Sequence, residues 1–93
     1  MKIWAIIRTN GKITQDTVLE TKLLRPLSAE DISVILKDVC YELDLSCPLV
    51  LNKHVRDMEN FARTVFLPDD FMEPVKFDKF EIELLPEKKT RAY

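Results

Sequence analysis

The sequence predicts an α+β fold: a small two-layer sandwich, with a three-stranded sheet carrying two helices on one face, in the order β-β-α-α-β. Three observations predict it. Between Lys2 and Arg8 the chain runs Ile3-Trp4-Ala5-Ile6-Ile7 without a polar break, and so short a run of branched and aromatic residues reads as a strand with material on both faces. Two later stretches, one starting at Ser28 and one at Asn52, repeat apolar residues at helical spacing. Near the end, Phe80, Ile82 and Leu84 alternate with Lys79, Glu81 and Glu83, which is the period of a strand with one wet face.

The first strand leads into Asn10-Gly11, where Gly11 is the only glycine of the chain. Asn-Gly between two strand-like runs signals a two-residue hairpin, because a type I′ turn needs φ > 0 at both central positions. A regular register from that turn sets Ile7 opposite Thr14, Ala5 opposite Asp16 and Ile3 opposite Val18. One face then carries Ile3, Ala5, Ile7 and Val18; the other carries Trp4, Ile6, Ile13 and Leu19. Strand two, from Lys12 to about Lys22, is polar at intervals, as suits an edge.

Ser28 is a good N-cap, with Asp31 three residues on in the place of a capping-box acid. Ile32, Ile35, Leu36, Val39, Cys40 and Leu43 make the stripe of a helix to about Asp44, with Glu30, Lys37 and Tyr41 facing away. Pro48 breaks the connection that follows. Asn52 is the expected N-cap of a second helix running to about Phe66, with Val55, Met58, Phe61, Ala62, Val65 and Phe66 as its stripe and Glu59–Arg63 as an i,i+4 pair. The stretch 67–75 holds Pro68 and Pro74 yet also Leu67, Phe71 and Met72, so it is expected to pack down. The last strand spans Val75 to Leu85, with a bulge near Asp78-Lys79 because Val75 and Phe77 are out of phase with Phe80. Pro86 onward is a charged, frayed tail. With the unbroken run at the centre, strands two and three are the edges.

Composition bounds the function. The 93 residues are 46% hydrophobic and 32% charged with a net charge of −2, an ordinary single globular domain that buries roughly 60–65% of its unfolded surface. No basic excess attracts nucleic acid or an anionic membrane, and no apolar run approaches the length of a membrane span. The N-terminus lacks the pattern of a signal peptide, so a cytoplasmic location is expected, where Cys40 and Cys47 would be thiols.

Around Cys40-Tyr41-Glu42-Leu43-Asp44, in Phe61-Ala62-Arg63-Thr64, and in Phe77-Asp78 and Glu81-Ile82-Glu83, the chain resembles a group of short bacterial proteins of uncharacterised function. The resemblance covers most of the chain and implies no fold, activity or site.

Candidate chemistry is sparse. Cys40, Cys47 and His54 are spaced by seven and, with Asp57, bring zinc to mind, but the spacing matches no compact motif and Pro48 divides them; no metal is expected. His54 is the only histidine, which suits a packed, hydrogen-bonded residue better than a general base. Asp69-Asp70 after Pro68 reads as a turn start. One glycine rules out a glycine-rich phosphate loop, and Ser28 and Ser46 have no base at motif spacing. No catalytic residue and no cofactor follow, and an enzyme is disfavoured.

The reading is therefore a small non-enzymatic interaction module, most simply a homodimer, or a module for another protein partner. Its first strand is apolar on both faces, so either the 67–75 stretch or a second chain must cover the face the helices leave. The alternative is a binder of a small anion or nucleic acid through a local basic patch at the start of the second helix. There Asn52, Lys53, His54 and Arg56 break a rule by putting cations beside the helix N-terminus. Asp38, Glu42 and Asp44 put acids beside the end of the first helix, and the plainer expectation is that these two groups compensate each other as surface pairs.

Overall fold

The computed structural model describes residues 1–23 and 26–85; the tail from Pro86 lies outside the described residues. Strands β1 (Lys2–Thr9) and β2 (Lys12–Glu20) form the hairpin. Helices α1 (Ala29–Leu43) and α2 (Asn52–Phe61) follow, then strand β3 (Arg63–Phe66), a 3-10 turn (Pro68–Asp70) and strand β4 (Lys79–Leu85). The α+β class is as expected, but the sheet has four strands, not three, and the order is β-β-α-α-β-β. The strands lie β2-β1-β4-β3, every neighbour antiparallel. The last strand is therefore central beside β1, and β3 is the second edge.

The fourth strand comes from residues expected to be helical. The second helix stops at Phe61 rather than Phe66, because Ala62 takes a left-handed conformation (φ 58°) and its N–H closes on the Met58 carbonyl at 3.0 Å. The chain then turns extended, Thr64 and Phe66 pointing into the core and Arg63 and Val65 away. Arg63 lies beyond the end of the helix, in the sheet, 3.5 Å from Glu81, so the expected i,i+4 arrangement with Glu59 along one helix is not formed.

The turn is as expected, with Asn10 at φ 55° and Gly11 at φ 78°. The register is not. Arg8 opposes Ile13, but Ile7 opposes Gln15, so Thr14 is an extra residue, a bulge in β2. The bulge decides where Asp16 lies. An unbulged ladder would put its carboxylate opposite Ala5, on the helix side, where partial burial of an unpaired charge is costly. The bulge turns Asp16 to the other face, opposite Ile6, where the Trp4 indole N–H donates to it at 2.9 Å. It also exchanges the next pair: Leu19, not Val18, joins Ile3 on the helix side, and Val18 lies beside Trp4. The bulge expected near Asp78-Lys79 is absent, because β4 begins at Lys79 and pairs regularly with β1.

α1 buries the expected stripe from Ile32 to Leu43 and is closed by the Ser28–Asp31 capping box, both bonds 3.1 Å. These residues pack with Met58 of α2 on Ile3, Ala5 and Ile7 of β1, Phe66 of β3, and Phe80, Ile82 and Leu84 of β4. Each such side chain contributes roughly 1.5–3 kcal/mol on burial. Phe71 and Phe77 close one end of this core, their rings 6.1 and 6.4 Å from Phe80. The 67–75 stretch thus packs on the helix side and leaves the second face of the sheet uncovered among the described residues.

Candidate functional site

Two places concentrate chemistry: the start of α2, and the uncovered face of the sheet.

At the start of α2 the N-cap is Leu51, not Asn52, which is the first helical residue. Leu51 has no side-chain oxygen, and the role passes to His54, whose Nδ1 accepts the Leu51 N–H at 2.9 Å. His54 is wholly buried, its ring stacked on Phe66 at 4.1 Å. The 3-10 turn repeats the device: Asp70 accepts the Leu67 N–H at 2.9 Å. The two third-position side chains face each other, His54 Nε2 lying 3.4 Å from Asp70 Oδ2, with no better hydrogen-bond partner for that nitrogen. The Leu49 N–H donates to the Asp70 carbonyl at 2.9 Å and ties the two segments together.

Since Nδ1 accepts, the neutral imidazole carries its proton on Nε2, toward the carboxylate. A second proton would have to go on Nδ1, against the Leu51 N–H. Burial lowers the His54 pKa from its ordinary value and Lys53 adds to this, while Asp70 opposes it; the loss of the Nδ1 acceptor works in the same direction as burial.

Of the residues read as an anion site, Asn52, Lys53 and Arg56 are exposed, whereas His54 points inward. Lys53 Nζ lies 3.8 Å from Asp70 Oδ1. Two of the cations expected to compensate Asp38, Glu42 and Asp44, Lys53 and His54, lie against Asp70, an acid from the 3-10 turn. Asp70 brings a carboxylate of the chain itself to the place where an external anion was expected. It had been read only as a turn former; its spacing from Leu67 was the signal available.

The second place is the face of the sheet away from the helices. The register brings onto it Lys2, Trp4, Ile6 and Arg8; Ile13, Asp16, Val18 and Glu20; Lys79, Glu81, Glu83 and Leu85; and Arg63 and Val65. At its centre Glu81 is only 7% exposed. The Arg8 Nε donates to its Oε2 at 2.7 Å, and Arg63 lies 3.5 Å from Oε1. Ile6 beside it is buried, while Val18 is 51% and Ile13 46% exposed. Along β3 an open depression of about 340 Å³ is lined by Asp57, Phe61, Arg63, Thr64 and Val65. Thr64 is satisfied there by donating to Asp57 at 3.2 Å.

Among the described residues no three metal-ligating side chains converge, and no helix is long and apolar enough to cross a membrane. Cys40 and Cys47 are free thiols. No family model, no curated protein and no solved structure matches the chain.

Proposed function

We propose that this protein is a small interaction module that pairs with a second copy of itself through the face of its sheet away from the helices. The observation that supports the reading is the make-up of that face. Val18 and Ile13 stand about half exposed on it, with Trp4 and Val65 partly exposed around a buried Ile6, and the stretch best able to cover it, with Phe71, is spent on the opposite side. Exposed apolar side chains grouped on one face mark contact sites.

A second copy suits the charges better than a polyanion does. Lys2, Arg8, Arg63 and Lys79 stand on the face with Asp16, Glu20, Glu81 and Glu83, as many cations as acids. A mixed face can oppose its own two-fold image with unlike charges, and it offers no single-sign field to a nucleic acid. An anion held by Lys53 and Arg56 at the start of α2 has less in its favour, because Asp70 already occupies that end.

The pairing is modest in size. Four strands spaced about 4.8 Å apart, each some seven residues long, give a face on the order of 450 Å² in projection, small beside the roughly 800 Å² per partner of a stable complex. A micromolar or weaker dimer is expected. Sedimentation equilibrium from micromolar to millimolar protein tests it: the mass should rise from 10.9 kDa toward twice that value, with a blue shift of emission from Trp4, the only tryptophan. Val18→Lys, at an exposed position, should keep the melting temperature and remain monomeric. A wild-type chain still monomeric at millimolar concentration overturns the reading.

A further inference from the structure

The two cysteines lie seven residues apart in sequence, but the fold folds one back on the other. Cys40 is on the last turns of α1, 1% exposed. Helical side chains lean toward the N-terminus, so its sulfur covers the turn that begins at Leu36. After Leu43 the left-handed Asp44 reverses the chain, and the Leu45 N–H returns to the Cys40 carbonyl at 2.8 Å. Cys47 then comes down on the same turn from outside: its Sγ lies 3.8 Å from the Leu36 carbonyl oxygen. One thiol is reached from within the core and the other from solvent, at one turn of helix.

We propose that Cys40 and Cys47 are a redox pair that closes an intramolecular disulfide, with Cys47 as the thiol that meets the oxidant and Cys40 as the thiol that resolves it. With hydrogen peroxide as oxidant, the Cys47 sulfur attacks one peroxide oxygen. The O–O bond breaks, Cys47 becomes a sulfenic acid, and the departing hydroxide takes up the thiol proton as water. The Cys40 sulfur then attacks the Cys47 sulfur. The S–S bond forms, the S–O bond breaks, and the hydroxide leaves with the Cys40 proton as a second water. Two thiols have given two electrons to one peroxide. A dithiol reductant returns the electrons by exchange. The exposure of Cys47 and the burial of Cys40 assign the roles. Burial first, and the adjacent Cys47 second, push the Cys40 thiol up to about 12, so the resolving step quickens with rising pH.

The product ties the end of α1 to the connection that leads into α2. Closing so short a loop without strain should raise the melting temperature by about 10–20 °C.

The test is peroxide oxidation of the native full chain, followed by intact mass and thiol counting after unfolding. The expected result is a monomer lighter by about 2 Da with no free thiol, melting higher than the reduced protein. Cys40→Ser should stop at a sulfenic acid on Cys47 that dimedone captures, and Cys47→Ser should leave Cys40 unmodified under the same dose. The inference is overturned if wild type gains oxygen at Cys47 while Cys40 remains alkylatable, if the bond joins two chains, or if it closes only in denaturant.

Discussion

Acidification should destabilise the fold through His54. In the unfolded chain this histidine titrates near its ordinary value of about 6.5. In the fold its pKa lies lower, because the ring is wholly buried and its Nδ1 is held as the acceptor of the Leu51 N–H. The unfolded state therefore binds the proton first. Stability is fully present above about pH 6.5 and falls as the pH drops below it, until the folded pKa is reached. Each pH unit by which the folded pKa lies below the unfolded one removes about 1.4 kcal/mol on acidification, or about 5–11 °C in melting temperature in a domain of this size. Few other groups titrate in that window, since carboxylates follow mostly below pH 5.

The check is urea denaturation at half-unit steps from pH 7.5 to 5, on wild type and on His54→Gln. Glutamine at the third helical position can still reach back to the cap N–H but takes up no proton, so the slope should vanish in the variant. His54→Ala should cost about 2–4 kcal/mol at pH 7, by opening a cavity against Phe66 and leaving the Leu51 N–H unpaired, and less as the pH falls, because alanine does not titrate. A wild-type profile that is flat between pH 7 and 5, or that rises on acidification, would refute the argument; the latter would mean that protonated His54 paired with Asp70 is the favoured state.

Two further outcomes follow from the backbone and the core. Ala62→Gly should raise stability by about 0.5–1 kcal/mol in the same assay, since Ala62 holds φ at 58° at the end of α2 and glycine is the residue suited to that conformation. Leu36→Ala, at a position 1% exposed between α1 and the sheet, should cost about 2–5 kcal/mol; a much smaller change in the denaturation midpoint would mean that α1 does not pack as described.

The parts legible in the sequence were those with a local cause. The Asn10-Gly11 turn, the Ser28–Asp31 cap and the stripe of α1 are each encoded within a few residues, and each is found. What failed depended on distant neighbours. The bulge at Thr14 cannot be seen in the hairpin loop, although a clue was present: a regular ladder placed the Asp16 carboxylate on the helix side opposite Ala5, which counts against that register. β3 was hidden because Ala62 ends the helix without a glycine or proline, and because Val65 and Phe66 continue the helical stripe as plausibly as they begin a strand. Its hydrogen-bonding partner is β4, with Phe66 opposite Phe80 and Arg63 opposite Glu83, well outside any helical or turn window. Asp70 and His54 each cap their own short segment, so only their mutual approach escaped a local reading.

The misplacement of β3 matters most for the face that we propose as an interface. With three strands, the last would have been an edge, and the row Lys79, Glu81, Glu83 an ordinary wet rim. With β3 alongside, Glu81 has Val65 directly opposite and a guanidinium on either side, from Arg8 and from Arg63. Its carboxylate has lost most of its water within the single chain, and that loss is met by the Arg8 hydrogen bond, of the stronger charge-assisted kind. Covering a solvated carboxylate with a partner would require stripping it then, which opposes association. Here the step is complete before any partner arrives, and around it Trp4 and Val65 are partly exposed while Ile6 is already buried. The face can thus be covered with little further cost to its central charge, which separates it from the outer face of a sheet that simply lies in water.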